Sequence, residues 1–152
     1  MSAATAVSCV LCAQDGGRQI WRNDALRVVD VGDPDLPGYT RVIWHGHVRE
    51  MTDLTPTERT ELMNIVFMVE SLQRQWLKPD KVNIASLGNQ TPHLHWHIMP
   101  RWKEDAWFPD SIWAVRRDDE PGRRAQCKER LATVSAHEAE YFAALSARLH
   151  ES

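Results

Sequence analysis

Hydrophobic and polar positions alternate in several short segments of the chain, and this pattern predicts strands. β-branched and aromatic residues concentrate in five runs separated by polar or turn-forming stretches. The runs are residues 20–21, 26–31, 40–44, 81–87 and 93–99. Residues 1–18 are predicted to be irregular, and residues 32–38, with two prolines and two aspartates, are predicted to form a loop.

The strongest helix signal begins at Thr55. The segment TPTE at 55–58 places a hydroxyl at the N-cap, a proline at the first helical position and Glu58 at the third, which is a capping box. Apolar residues then recur at helical spacing: Leu62, Ile65, Val66, Val69, Leu72 and Trp76. The helix should end near Lys78, because Pro79 restricts the backbone of the residue before it.

The last third of the chain combines a loop with a helical tail. Residues 101–119 are rich in tryptophan and predicted to be irregular, and we expect Trp107 and Trp113 to lie in a loop that closes over a ligand. Residues 123–150 have helical composition, but Ser135 and Glu138 could form a second capping box, which leaves one helix or two open. Strands with one inserted helix predict an α+β fold with an antiparallel sheet.

Composition and charge narrow the class of protein. Hydrophobic residues make up 43% of the 152 residues and charged residues 26%, which is typical of one globular domain. No apolar run approaches the ~18 residues of a membrane span, and the N-terminus lacks a signal-peptide pattern. We therefore expect a cytoplasmic protein without a membrane partner. The formal charge of −3 argues against a binder of nucleic acid polymers.

The segment HLHWHIM at residues 93–99 is the most informative part of the chain. Side chains alternate between the faces of a strand, so His93, His95 and His97 would line one face at intervals of about 6.6 Å. Leu94, Trp96 and Ile98 would then face the core. Three imidazoles on one face can hold an anion, bind a metal or share the roles of nucleophile and acid.

A second motif lies near the N-terminus, where Cys9 and Cys12 form a C-x-x-C pair. Such a pair in a cytosolic protein indicates metal or redox chemistry, and the βαβ context of a redox motif is missing. Zinc would need about four nitrogen or sulfur ligands. Two free thiols are the alternative.

The histidine segment resembles the signature of the histidine-triad (HIT) family of nucleotide hydrolases and transferases, His-φ-His-φ-His-φ-φ with φ apolar. Gln90-Thr91 before it, Pro100-Arg101 after it and VIWHGHVREMTDLTPTE upstream extend the resemblance to about residues 9–101. The resemblance implies a HIT-like fold, with one long helix packed on an antiparallel sheet and a helical extension within 102–152. It also implies one domain over residues 1–152, and a homodimer.

The resemblance implies roles for the three histidines. His95 would attack the α-phosphorus of a nucleotide and form a covalent nucleotidyl-histidine, which water then hydrolyses. His97 would contact the α-phosphate and protonate the leaving group. His93 would support the site from the adjacent position.

Neutral groups around the histidines are candidates for binding the substrate. The turn formed by Gly88, Asn89, Gln90 and Thr91 offers backbone N–H groups, amides and a hydroxyl as an anion cradle. Asn83 matches an asparagine that many family members place by the phosphate, although it could serve only as a strand-end hydrogen bond. Asp30 matches the acidic residue that binds the ribose, with Asp33 as its competitor; either could be a solvated loop carboxylate.

The resemblance also bears on the cysteine pair. Some bacterial members have this pair together with two histidines as a zinc site, which implies Cys9, Cys12, His47 and His93 as ligands, with His45 as the rival of His47. A structural zinc would then fix His93 beside the active face while His95 and His97 carry out the chemistry.

The function that the resemblance implies is hydrolysis of a dinucleoside polyphosphate, such as diadenosine tetraphosphate, or of an AMP-phosphoramidate. Nucleotidyl transfer is an alternative, but transferases of the family usually carry glutamine at the third histidine position. A catalytic metal bound by all three histidines is geometrically awkward on one flat strand. A nucleotide-binding protein without catalytic activity is the remaining alternative.

Overall fold

The computed structural model describes residues 8–152, so the prediction for residues 1–7 lies outside the described residues. Five strands and three helices make up the described part of the chain. In chain order they are α1 (Val10–Ala13), β1 (Arg18–Arg22), β2 (Leu26–Asp30), β3 (Thr40–Trp44), α2 (Pro56–Trp76), β4 (Lys81–Ala85), β5 (His95–Arg101) and α3 (Arg123–His150), with a 3-10 turn at Met51–Asp53. No helix within residues 8–152 is long and apolar enough to cross a membrane.

The five strands form one sheet in the order β1-β2-β3-β5-β4, and every neighbouring pair is antiparallel. Helix α2 lies between β3 and β4 in the chain, and β5 then inserts between these two strands. The predicted α+β fold with an antiparallel sheet is confirmed.

The two faces of the sheet have different roles. In β2 and β3 the even-numbered side chains, such as Leu26, Val28 and Val42, pack with the helices in the main core. Helix α2 contributes the predicted apolar face, including Leu62 and Val66, and α3 adds Tyr141, Phe142, Leu145 and Leu149. The odd-numbered positions face the other side, where the histidines lie.

Helix α2 starts as the capping pattern predicts. The Thr55 hydroxyl accepts a hydrogen bond from Glu58 N at 3.3 Å, and the Glu58 carboxylate accepts one from Thr55 N at 2.7 Å. The helix ends at Trp76, with Leu77 as its C-cap. Near this end, the fully buried Gln73 donates to the carbonyl oxygens of Gly38 and Ile98, which ties the helix to the sheet.

The tail is a single helix, which settles the choice between one helix and two. Ser135 and Glu138 lie inside α3 and form no cap. The Glu138 carboxylate instead accepts from Gly38 N at 3.1 Å, so its partner is on the loop before β3.

Several element boundaries differ from the prediction, among them those of β1, which spans Arg18–Arg22 rather than residues 20–21, and of β2, which ends at Asp30. Strand β5 begins at His95 rather than His93 and continues to Arg101, because residues 91–93 form a tight bend in which His93 N donates to Thr91 O. Strand β4 ends at Ala85. Helix α1 occupies part of the segment predicted to be irregular, with Cys9 at its N-cap.

Candidate active site and metal centre

A cavity of about 610 Å³ lies on the face of the sheet opposite the long helices. Its volume falls within the range of small-molecule sites in proteins. Its lining comes from α1 and the segment after it, from β3 and β5, from the loop before β5 and from the tryptophan-rich loop. The lining residues are Val10, Leu11, Gln14, Gly16, Arg41, Leu87, Gly88, Asn89, Gln90, Thr91, His95, His97 and Trp113.

The loop between β4 and β5 supplies neutral polar groups to this cavity. All four residues of the predicted cradle, 88–91, line it. Gly88 has φ +87°, and a Cβ atom there would lie 3.4 Å from Thr91 O, so the tight turn requires glycine. Ser86 Oγ donates to His95 O at 2.7 Å and anchors the start of the loop to the histidine strand.

His95 is oriented by its own backbone neighbour. Its Nδ1 lies 2.6 Å from His93 O, and since a carbonyl oxygen can only accept, Nδ1 carries the proton. The other nitrogen, Nε2, is therefore unprotonated while the ring is neutral. Burial lowers the pKa of His95, which keeps the ring neutral and its Nε2 lone pair available. This is the protonation state that a nucleophilic imidazole needs.

His97 is oriented by the phenol of Tyr39, which lies 2.6 Å from its Nδ1. Burial raises the pKa of Tyr39, so the phenol keeps its proton and can donate it to Nδ1. Burial, followed by the charges of His95 and Arg41, lowers the pKa of His97 to about 3. His97 is thus a neutral ring at neutral pH, and with Tyr39 as the donor to Nδ1 the ring proton lies on Nε2, where it can donate a hydrogen bond. Its ring centroid lies 4.7 Å from that of His95 and 5.2 Å from that of Trp113.

The C-x-x-C pair and two histidines meet beside this cavity. Cys9, Cys12, His47 and His93 each offer one ligand atom, and these atoms all lie within 4.8 Å of one another. The Sγ-to-Nδ1 distances are 3.4 Å from Cys9 to His93, 3.4 Å from Cys12 to His93 and 3.3 Å from Cys12 to His47. A tetrahedral zinc ion separates neighbouring sulfur and nitrogen ligands by about 3.5 Å. The cluster therefore has the composition and the dimensions of a structural zinc centre.

His93 belongs to this cluster rather than to the cavity. Its Nε2 lies 2.6 Å from Trp44 O and donates to it, which leaves Nδ1 as the nitrogen with a free lone pair toward the cysteines. The prediction that three imidazoles line one strand face is wrong for His93, because the chain bends before β5 begins. Its contact with β5 is its carbonyl oxygen, which orients His95.

The segment that carries the cysteines is held by Arg27, a side chain that the sequence did not single out. The buried guanidinium donates to Leu11 O at 2.7 Å, Asp15 O at 2.9 Å and Gln14 O at 3.1 Å. It also lies 3.2 Å from His45 Nδ1, while His45 Nε2 donates to Asn23 O. His45 is thus engaged away from the cysteines, and His47 is the histidine that joins them.

Three predicted substrate contacts do not line the histidine cavity. Asp30 lies on the helix face of the sheet, where its carboxylate accepts from Gly32 N at 2.8 Å and from Arg18 at 3.1 Å. The Asp33 carboxylate accepts from Asp35 N at 2.9 Å. Asn83 accepts from Arg101 Nη1 at 2.8 Å. The structure thus gives each of these side chains an intramolecular partner.

Two side chains beside the cavity were not predicted from the sequence. Of the two tryptophans expected in the loop over the ligand, one lines the cavity and the other does not. Tyr39 and Arg41 reach the histidines from β3 and the residue before it; the one available signal was a charged residue inside the otherwise apolar run TRVIW. Trp113 lines the cavity as expected. Trp107 does not, because it is buried in a second core cluster with Leu36 and Met99.

The antiparallel sheet with an inserted helix, together with the His-x-His-x-His segment, defines a histidine-triad protein. The family model described as the HIT domain matches residues 17–104, and the chain belongs to this family. It is 31% identical over 110 residues to a protein of Schizosaccharomyces pombe named bis(5'-nucleosyl)-tetraphosphatase [asymmetrical], an alignment that covers 68% of this chain and 60% of the relative. It is 32% identical over 81 residues to a Mycobacterium tuberculosis protein named AP-4-A phosphorylase, covering 49% of this chain and 42% of that protein.

The fold also matches solved structures. One is described as a Zn-bound histidine triad family protein from Mycobacterium smegmatis, with a TM-score of 0.54 and 23% identity. The match covers 86% of this chain and 98% of that one. At this identity the likeness shows the fold.

Proposed function

We propose that this protein is a nucleotidyl hydrolase that cleaves dinucleoside polyphosphates or nucleoside phosphoramidates at the α-phosphate. The observation that carries the proposal is the pair of contacts that orient the two cavity histidines, His95 Nδ1 with His93 O and His97 Nδ1 with the Tyr39 hydroxyl, which leave both Nε2 atoms free to act on a substrate. The name of the fission yeast relative supports hydrolysis of a dinucleoside tetraphosphate.

The first step forms a covalent nucleotidyl-histidine. The Nε2 lone pair of His95 attacks the α-phosphorus, a P–N bond forms, and the bond from phosphorus to the leaving group breaks with its electron pair on the leaving atom. Backbone N–H groups of the loop 88–91 hold the oxygens of the α-phosphate. The Nε2–H of His97 donates a hydrogen bond to a leaving phosphate oxygen as its negative charge develops. A phosphoramidate nitrogen instead takes this proton and leaves as a neutral amine, and His97 then regains a proton from solvent.

The second step returns the protein to its starting state. A water molecule attacks the same phosphorus, a P–O bond forms, and the electron pair of the P–N bond returns to Nε2 of His95. The water proton passes to solvent. The His93 carbonyl keeps the proton of His95 on Nδ1 in both steps, so Nε2 remains the reacting nitrogen.

We propose that the Cys9, Cys12, His47 and His93 cluster holds one structural zinc ion. Two thiolates and two imidazole nitrogens are a donor set that zinc prefers, and the His93 Nε2–H is satisfied by Trp44 O as a ligand histidine requires. Zinc would fix α1 against the start of β5. The description of the mycobacterial structure as Zn-bound supports this proposal.

A second candidate function is phosphorolysis, in which phosphate rather than water accepts the nucleotidyl group. The name of the Mycobacterium tuberculosis relative favours it. The two reactions differ in one measurement: a phosphorylase needs added phosphate for turnover and yields a nucleoside diphosphate, whereas a hydrolase yields a monophosphate without it.

Substitution of the nucleophile tests the catalytic proposal. We expect His95→Ala to lower kcat for diadenosine tetraphosphate by at least ~10³-fold while the nucleotide still binds. The exposed His137 on α3 provides the matched control, and His137→Ala should keep full activity. Unchanged turnover in His95→Ala would contradict the assignment, and mass spectrometry of a quenched wild-type reaction should reveal the nucleotidyl adduct.

Elemental analysis tests the metal centre. We expect about one zinc per chain in freshly purified protein and a large loss of zinc in Cys12→Ser. Cys127, buried in α3 away from the cluster, supplies the control: Cys127→Ser should keep its zinc. A wild-type protein that folds normally without metal would refute the proposal.

We further propose that residues 1–152 form one domain, since α3 packs in the same core as α2. We propose that two copies form a dimer with joined sheets, because β4 is an edge strand of the sheet formed within residues 8–152. Light scattering that gives the mass of one chain would contradict the dimer.

We propose a cytoplasmic location, where the free thiols of Cys9 and Cys12 stay reduced, and cell fractionation would test it.

A further inference from the structure

Arg41 places a positive charge beside the two cavity histidines. It lies in the middle of β3, paired in register with His97 on β5, and its side chain lines the same cavity. Its guanidinium carbon lies 5.6 Å from the centre of the Tyr39 ring, whose hydroxyl contacts His97. Arg41 and His97 thus both line the cavity, and Tyr39 contacts each of them.

The charge of Arg41 has no acidic partner among the residues that the structure describes. Within residues 8–152 no carboxylate lies within 4.0 Å of it, and no lining residue of the cavity is acidic. Its Nη1 donates to Gly16 O at 3.3 Å, while its Nε is buried without a partner in the described part of the chain. A partly buried guanidinium with an unsatisfied N–H is costly unless an anion completes it.

The position of this charge fits a phosphate chain. Arginine donors match phosphate oxygens in pairs, and the neutral cradle 88–91 already provides for the α-phosphate on the other side of the histidines. The charge is also felt at His97, since Arg41 contributes, after burial and His95, to lowering the pKa of this ring. An anionic leaving group next to His97 would meet a cation there.

We propose that Arg41 binds the phosphate groups beyond the α-phosphate and selects substrates whose leaving group is a polyphosphate. This inference rests on the proposed nucleotidyl transfer to His95. As the P–O bond to the leaving phosphate breaks, its electron pair moves onto the bridging oxygen, and the guanidinium stabilises the added negative charge. An amine that leaves from a phosphoramidate is neutral in the product and gains nothing from Arg41. The substrate class is therefore the dinucleoside polyphosphates.

Two substrates that share the AMP half distinguish binding of the leaving polyphosphate by Arg41 from a general effect of Arg41 on the reaction. We expect Arg41→Gln to lower kcat/KM for diadenosine tetraphosphate by roughly 30- to 100-fold, the loss typical of a charge-assisted hydrogen bond to phosphate. For adenosine 5'-phosphoramidate the loss should stay below about 3-fold. Arg41→Lys, which keeps the charge but not the paired donors, should lie between the two. Arg74→Gln, at an exposed site on α2, is the control.

Binding measurements keep this inference distinct from the proposed reaction. By calorimetry, Arg41→Gln should weaken binding of inorganic tripolyphosphate at least about 10-fold and that of AMP less than about 3-fold. This pattern in a protein that hydrolyses neither substrate would support the phosphate-chain site and refute the proposed reaction. Equal losses for both substrates, or wild-type binding of tripolyphosphate in a folded Arg41→Gln variant, would overturn the role of Arg41.

Discussion

Asp105 in the tryptophan-rich loop is the centre of a buried network, and its replacement by asparagine should be strongly destabilising. The side chains of Asp105 and Arg101 are 1% and 2% exposed. One carboxylate oxygen accepts from Arg101 Nη2 and from the backbone N–H groups of Trp107 and Phe108; the other accepts from Arg101 Nε and Trp102 N. Five donors thus converge on one group, and they fix the loop that leads from β5 to Trp113.

The geometry sets the size of the effect. In Asp105→Asn one oxygen keeps its donors, but the new amide N–H₂ faces Arg101 Nε and Trp102 N, so two donors lose their acceptor at about 1–3 kcal/mol each. Removing one partner of a buried ion pair typically costs about 3–5 kcal/mol. Both considerations give a loss in the free energy of unfolding near 4 kcal/mol. This is a large part of the ~5–15 kcal/mol that stabilises a domain.

Urea unfolding followed by circular dichroism measures this loss. With a slope of about 2 kcal/mol per molar urea, the midpoint should fall by about 2 M, and Tm by about 8–16 °C. Asp118→Asn is the matched control, because Asp118 pairs with Arg116 at the surface, where their side chains are 20% and 41% exposed. Asp118→Asn should lower the free energy of unfolding by at most about 1 kcal/mol.

Asp105→Asn should also change how the free energy of unfolding depends on pH. Burial raises the pKa of Asp105, but hydrogen bonds from Arg101 and the Trp107 N–H outweigh it, so the net pKa is lowered. The ionised carboxylate therefore stabilises the fold above its unfolded-state pKa of about 4, and this contribution is lost as pH falls through the folded pKa. Asp105→Asn should lack this part of the acid dependence. A loss no larger than that of Asp118→Asn would refute the reasoning.

Three further predictions concern the groups around the cavity. Tyr39→Phe removes the proton donor of His97 Nδ1 and should lower kcat by about 10-fold with little change in KM, as steady-state kinetics would show; an unchanged kcat would argue against the orienting role. Arg27→Met removes three contacts to backbone carbonyls and should weaken zinc binding by about 10-fold or more in competition with a chelator, whereas exposed Arg22→Met should not. Because burial lowers the pKa of His97 to about 3 and an unfolded histidine has about 6.5, the unfolded chain binds more protons between these values and stability falls with acidification. His97→Gln should flatten the decline measured by denaturant unfolding between pH 6.5 and pH 4 by on the order of 3 kcal/mol, and an equally steep decline would contradict the pKa.

Local patterns predicted the strands and the start of α2 because each depends on neighbouring residues. The capping box at Thr55 and Glu58 forms within a single turn of chain. The alternation of HLHWHIM correctly placed His95 and His97 on one face. It failed at His93, because residues 91–93 form a bend closed by His93 N and Thr91 O, and Leu94 N then donates to Val48 O, a distant partner that no local pattern reveals.

The parts of the site that the sequence did not predict depend on distant contacts. Tyr39 meets His97 across 58 residues, and Arg27 holds the cysteine segment across 12 to 16 residues. The choice of His47 over His45 follows from Arg27 and Asn23 O, which occupy both nitrogens of His45. In the same way, the partner of Glu138 is Gly38 N, 100 residues earlier in the chain, and a local capping pattern does not reveal it.

Helix α1 contributes both to the wall of the cavity and to the candidate metal cluster. Cys9 and Cys12 flank Val10 and Leu11, which line the cavity, so the wall of the cavity and the metal ligands are the same short stretch of chain. An ion held by Cys9 and His93 would tie together points 84 residues apart, and would so reduce the freedom of that wall. If a compound packed against Val10 and Leu11 binds more tightly to this ordered wall, thermodynamic reciprocity requires that the compound raise the affinity for the metal by the same factor.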